Sequence, residues 1–295
     1  MLTDFIRDRI ANLQRNAEDA RSLRPDHLRQ PSPPGHGELP HGREVANAWG
    51  RHCLMEQPLT ELWPGGRRAI DDWHRQRNAP RETGGPRNGL QERSSFEQHF
   101  PRATVLLDLE TCGLAGSMIF LIGLIHQGDS GLQLSQLLAR DYSEEPAVLA
   151  SLWEIMSTQR VLVTFNGKSF DWPMIRDRTT LHRMDREFAS AKRDSTTTPD
   201  LVHFDLLHHA RRCYSADLPD CRLTTLERRI CGRRRVGDIP GGDIPAAYHD
   251  FVRTGETRQM TAILHHNAMD LVTLLELSLR ITTAQADRND GPRMP

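Results

Sequence analysis

Carboxylates interrupt three otherwise apolar segments of this 295-residue chain. They are Asp108 and Glu110 in VLLDLETCGL, Asp171 in LVTFNGKSFDWP and Asp270 in ILHHNAMDLVTL. A bare negative charge in such a setting is costly unless a cation or hydrogen-bond donors compensate it. Any fold that buries these segments must therefore bring the compensation with it. Three such placements, each in a different local setting, read as a carboxylate cage for metal ions and not as solvated surface.

The hydrophobic pattern supplies the frame for that cage. From Ala103 the runs ATVLLDLE, MIFLIGLIHQ and LQLSQLLAR are of β type, and the short Gly-containing turns CGLAGS and GDSG predict an antiparallel meander. EEPAVLASLWEIMST places its apolar residues at helical spacing after a Ser143–Pro146 start signal. RVLVTFN reads as a buried strand, and SFDWPMIRDRTTLHR as a helix that tolerates Pro173 in its first turn. LVHFDLL is a further short strand, followed by a mostly helical remainder striped by Met260, Ile263, Leu264, Leu271, Leu274, Leu275 and Leu277. Five strands with helices between the later ones predict an α/β fold with a mixed five-stranded sheet flanked by helices.

Residues 1–101 have a different character. The clusters RQPSPPGHGELPHG and RNAPRETGGPRNG bury too little apolar surface to offset their ordering entropy and read as linkers or disordered loops. Leu2, Phe5, Ile6, Ile10 and Leu13 outline a short amphipathic helix without the apolar core of a signal peptide. The run Met118–Ile125 is far too short to span a bilayer, so no membrane segment and a cytoplasmic location are expected. The expected organisation is a partly disordered extension over 1–101, one catalytic-type domain over 102–283 and a disordered tail over 284–295.

Five cysteines without a C-x-x-C pair indicate neither a disulfide framework nor a zinc ribbon. A formal net charge of −1 gives no bulk argument for a nucleic-acid partner. Distribution matters more, because ERRICGRRRV gathers Arg228, Arg229, Arg233, Arg234 and Arg235, whose forked donors suit phosphate. The alternative is a solvated face in an arginine-rich chain whose only lysines are Lys168 and Lys192.

The order of elements, with an acidic pair on the first strand of the meander, resembles the ribonuclease H-like fold of the DEDD 3′ to 5′ exonucleases. The likeness is closer to bacterial YprB-type proteins through FNGKSFDWP, the segment LPDCRLTTLERRICGRRRVGDIPGGDIPAAYHDFVRTG and the ending HNAMDLVTLLEL. It covers roughly Ala103–Ile281, and REVANAWGRHCLMEQPL looks like the β-rich lead-in of such proteins. The helical-repeat tail some of them carry is expected to be missing, because this chain ends soon after Ile281.

The residues and the resemblance together define a chemistry. Asp108 and Glu110 are two apart on a strand, so both leave the same face and repel unless cations lie between them. Hard oxygen ligands favour Mg²⁺ or Mn²⁺ over zinc. Asp171 in the first turn of a helix either serves the helix start or joins the cage. Asn166 stands at a strand end, where ligands bind in α/β sheets, and the resemblance makes it a substrate contact. Lys168, Arg233 and Arg234 are candidate phosphate contacts. His266 lies one helical turn before Asp270 and on its face, whereas His265 is displaced by about 140°. The resemblance allows either as the proton acceptor, and His266 is favoured. His203, Asp205, His208 and His209 form another cluster, in which Asp205 is a candidate support for the cage and the histidines are expected to face solvent or phosphate.

The implied activity is two-metal hydrolysis of phosphodiester bonds in single-stranded nucleic acid, DNA or RNA, from a 3′ end. Asp108, Glu110, Asp171 and Asp270 would hold two Mg²⁺ or Mn²⁺ ions. The alternatives are an internally cutting nuclease of the same fold and a non-catalytic nucleic-acid-binding module.

Overall fold

The computed structural model describes residues 39, 42–78, 90–113, 116–184, 201–235 and 237–289. The expected N-terminal amphipathic helix, nearly all of the two linker-like clusters and residues 290–295 lie outside them.

The five expected strands are present, and two more join them. They are β1 (Gly42–Asn47), β2 (Gly50–Pro58), β3 (Thr104–Thr111), β4 (Ile119–Gly128), β5 (Gly131–Leu138), β6 (Val161–Thr164) and β7 (Val202–Asp205). They form one seven-stranded sheet in the order β1-β2-β5-β4-β3-β6-β7. The expectation of five strands is thereby corrected. The lead-in REVANAWGRHCLMEQPL is a hairpin that pairs antiparallel with the free edge of β5, from Cys53 opposite Leu138 to Pro58 opposite Gln133. Its Asn47 amide donates to the Ala147 carbonyl at 2.8 Å, which seats the hairpin against the helix that follows β5.

The meander β3-β4-β5 is antiparallel, and β6 and β7 continue the sheet in parallel from β3. β4 is buried from Ile119 to His126. That unbroken run fits a central strand covered on both faces, where side chains of either parity are buried. β3 changes character halfway: Thr104 to Leu107 are buried, and Asp108 to Thr111 are half-buried at the C-terminal end of the strand.

Helices cover the sheet on both sides. Among the described residues they are, in chain order, α1 (Leu59–Leu62), α2 (Gly66–Asn78), α3 (Leu90–His99), α4 (Glu145–Met156), α5 (Asp171–Leu181), α6 (Leu206–Tyr214), α7 (Leu223–Arg229), α8 (Ile244–Thr254) and α9 (Arg258–Asn289). One core joins Val105, Leu107, Phe120 and Ile122 to α4, α5 and Tyr248 and Phe251 of α8. The other joins Leu106, Val163 and Phe204 to α2, α3, α6 and the Leu271–Ile281 stretch of α9. Phe96 of α3 is fully buried in this second core, a burial that contributes about 2–3 kcal/mol.

The N-terminal helices are fixed to the far end of α9. Trp73 donates its indole N–H to Thr282 Oγ1 at 2.8 Å, and Arg93 donates to the Thr282 carbonyl while pairing with Glu97 at 2.7 Å. The sheet and these helices thus run across position 101, and α9 continues to Asn289, past the boundary expected at 283.

Candidate active site

Alternation along β3 decides which way its acids point. Leu106 belongs to the core beneath α9 and Leu107 to the opposite one, so Asp108 and Glu110 leave the sheet on the α9 side. Asp270 lies on α9, which crosses β3 and β4. Asp171 is the first residue of α5, delivered by the turn that ends β6. Asn166 in that turn has φ of 64°, the left-handed region that asparagine tolerates better than most residues. At Gly167 a Cβ would stand 2.4 Å from Thr164 Cβ, so only glycine fits the next position.

Asp205, expected as support for the cage, holds this turn. Its carboxylate accepts from the backbone N–H of Asn166 at 2.8 Å and of Lys168 at 3.0 Å, and it caps α6 through Leu207 N–H at 3.1 Å. The histidines around it, expected to face solvent or phosphate, are mostly engaged within the protein. His203 bonds Thr164 Oγ1 at 2.8 Å, buried His209 bonds Glu92 at 2.7 Å, and only His208 is exposed.

The three acids on β3 and α5 are held in uncomfortable surroundings. Burial pushes Asp108 well above the usual carboxylate range, and the nearby charges of Asp270, Glu110 and Asp171 push the same way. Burial raises Glu110 to about 8, helped by the charges of Asp270, Asp171 and Asp238, although His266 opposes them. Asp171 rises to about 7, through burial and then Asp205. Asp270 behaves in the opposite sense. Burial works against its charge, but hydrogen bonds and charge from His266 and Arg235 hold it below the usual range.

The cations that hold Asp270 are specific. Arg235 donates to Asp270 Oδ1 at 2.5 Å and to Glu227 at 2.8 Å. His266 Nε2 stands 3.3 Å from Asp270 Oδ2, and its Nδ1 is 2.8 Å from Asp238. Burial alone would lower the imidazole, yet the two carboxylates raise it to about 9, so the ring is a cation at neutral pH. His265 is exposed and faces away.

The expected phosphate contacts fall into three situations. Lys168 pairs with Glu92 at 2.5 Å and remains partly exposed. Arg234 is exposed. Arg233 is engaged internally, with Glu276 at 2.6 Å and Thr273 Oγ1 at 2.9 Å. Arg235, the last arginine of ERRICGRRRV, is the one that reaches the acids. Asp238 and Asn267 also belong to the site; Asn267 donates to Asp108 Oδ2 at 2.8 Å.

Among the described residues, no three His, Cys, Asp or Glu side chains stand close enough to hold a metal ion as placed. The four acids are neighbours at electrostatic range. The donor set nevertheless fits a hard divalent cation, because three half-buried carboxylates that resist ionisation are what such a charge would relieve. Asp108, Glu110, Asp171 and Asp270 are the residues that would hold it.

An α/β sheet of this mixed order, with an acidic pair on one face at the C-terminal end of β3, defines a class. The chain belongs to the RNase_H superfamily, whose sequence pattern matches residues 105–282. Members of that superfamily are usually nucleases, and those nucleases typically use divalent metals. Among individual proteins, the chain is similar to the uncharacterized protein YprB of Bacillus subtilis (strain 168), with 33% identity over 210 residues, 70% of this chain and 48% of that protein. It spans about half the length of this curated relative. In three dimensions it resembles the family B DNA polymerase of the hyperthermophilic archaeon Pyrobaculum calidifontis, with a TM-score of 0.48 and 13% identity over 68% of this chain and 25% of that one. Among the described residues, no helix is long and apolar enough to cross a membrane.

Proposed function

We propose that the chain is a metal-dependent nuclease that shortens single-stranded nucleic acid from its 3′ end. The observation that carries this reading is the electrostatic neighbourhood of Asp108, Glu110, Asp171 and Asp270, four half-buried acids of which three add to the charge against Asp108. Two Mg²⁺ or Mn²⁺ ions would supply an activated water and stabilise the leaving oxygen.

The remaining chemistry belongs to the protein. Asn166 and Lys168 on the β6–α5 turn, and exposed Arg234, hold the phosphate backbone. Arg233 is too committed to Glu276 to share that task. Glu92 keeps Lys168 beside the turn until a phosphate competes for it. His266 orients and deprotonates the attacking water. With both ring nitrogens facing carboxylates the ring carries both protons, so it can take one from water only after first giving up its Nε2 proton, a loss that would be favoured if a bound cation drew the Asp270 carboxylate away from the ring.

The test is hydrolysis of 5′-labelled single-stranded DNA and RNA in Mn²⁺, Mg²⁺ or EDTA, with free and blocked 3′ ends. Asp108→Ala and Asp270→Ala proteins serve as controls. The expected result is stepwise shortening that needs metal, a free 3′ end and both acids. Cleavage of blocked substrate would establish an internally cutting enzyme instead. Binding without cleavage under every metal, or full activity in Asp108→Ala, would overturn the proposal.

A further inference from the structure

Three residues on neighbouring strands stand side by side beneath α9. Asp108 of β3 pairs with Gly123 of β4, and Gly123 pairs with Gln136 of β5. The middle position has no side chain, and the space above it is filled from α9. A Cβ at Gly123 would stand 2.0 Å from Asn267 Oδ1 and 2.7 Å from its Cγ and Nδ2. No left-handed backbone demands this glycine, so its reason is the close approach of Asn267.

Asn267 is fully buried, and both ends of its amide are engaged. Its Nδ2 donates to Asp108 Oδ2 at 2.8 Å and approaches the Asp108 carbonyl at 3.3 Å. Its Oδ1 accepts from Gln136 Nε2 at 2.9 Å, and Gln136 also donates to the Leu264 carbonyl at 2.8 Å. The polarity of this chain has one consistent sense. Gln136 can only donate toward Asn267 through its NH₂, which turns the Asn267 NH₂ toward the carboxylate.

From this geometry we infer that Asn267 is a positioning residue for Asp108, oriented by Gln136 and admitted by Gly123. The inference rests on the reading of Asp108 as a metal ligand. Like charges around Asp108 tend to rotate its carboxylate away, and a buried carboxylate with no donor has nothing to resist them. Asn267 supplies a donor without adding a charge, unlike the His266 and Arg235 pair that holds Asp270. It fixes Oδ2 and makes no claim on Oδ1. Asn267 also lies three residues before Asp270 on the same helix, so one rigid element carries a ligand and the brace of the ligand opposite.

The experiment is Mn²⁺ binding to the full chain, followed by electron paramagnetic resonance of the free ion. It compares wild type with Asn267→Leu, which keeps the branched heavy-atom shape and removes the donor, and with Gly123→Ala, which displaces Asn267 and removes no polar group. Both variants are expected to bind Mn²⁺ about tenfold more weakly, the worth of one hydrogen bond to a charged group. Affinity within twofold of wild type in a folded Asn267→Leu protein, or in folded Gly123→Ala should the first fail to fold, overturns the inference and leaves the metal reading intact. No Mn²⁺ binding by wild type overturns the metal reading, and the inference with it. Under substrate hydrolysis the same variants are expected to need more metal for half-maximal rate while KM for nucleic acid stays unchanged.

Discussion

Replacing Glu145 by glutamine should destabilise the protein by about 3–5 kcal/mol, although the residue lies outside the acid cluster. Glu145 is 1% exposed and its carboxylate is fully used. Oε1 accepts from Ile119 N–H and Arg178 Nε, both at 2.8 Å; Oε2 accepts from the other arm of Arg178 and lies 2.7 Å from His182 Nε2. Arg178 is itself buried and donates to the Gly116 carbonyl at 3.1 Å, so the triad fixes Gly116 and the start of β4 at Ile119.

A glutamine keeps the shape but removes the charge, and leaves the guanidinium buried without a counter-ion. The magnitude given is that of breaking a buried pair from one side, and it is a large share of a typical stability of about 5–15 kcal/mol. Urea unfolding measures it as a fall in midpoint at unchanged slope. The sign of the pH dependence also follows. Burial raises the Glu145 pKa, but His182 and Arg178 overcome that and hold it below its ordinary value of 4.5. Its contribution is therefore complete above pH 4.5 and is lost as pH falls through the lower folded-state value. The gap between wild type and Glu145→Gln should narrow below pH 4.5. A loss under about 1 kcal/mol at pH 7 would refute the reasoning, because it would mean that Arg178 reaches water when unpaired.

Two further outcomes are expected. In EDTA, thermal stability should fall between pH 5 and pH 8, because Glu110 and Asp171 titrate near 8 and 7 in the fold and their stabilising protons are lost over that range. Millimolar Mn²⁺ should restore most of it at pH 8, and a melting curve independent of both pH and metal would contradict the charge balance of the site. Glu92→Gln should lower stability by about 1–2 kcal/mol, since buried His209 loses its carboxylate, and should tighten binding of single-stranded DNA by freeing Lys168. Fluorescence anisotropy showing unchanged or weaker DNA binding would remove Lys168 from the substrate surface.

The parts of the fold that showed in the sequence are those whose burial imposes a period. β3 to β7 and the helices between them are strongly patterned, and the acids stood out because they broke apolar runs. The β1–β2 hairpin is harder to read, since most of β1 is exposed and its place depends on a free edge of β5 that no local pattern announces. Arg233, Arg234 and Arg235 are equivalent as a sequence run; which one reaches the site acids is decided by Glu227, Asp238 and Asp270, brought together from three separate segments. Gly123 did carry a signal. A glycine inside the run MIFLIGLI marks a close approach, although only the fold tells what approaches.

The long helix α9 sets a phase relation across the molecule. Asp270 faces the acids of β3, and Thr282, twelve positions later, receives Trp73 and Arg93 from the N-terminal helices. Each residue of a helix advances the face by about 100° and the axis by about 1.5 Å. One residue inserted or deleted between these two points would turn the N-terminal clamp about a quarter of the way round the rod relative to the carboxylate. The two attachments could not both be kept. The interval between Asp270 and Thr282 is therefore a gauge length, which tolerates exchange of its residues far better than any change in their number.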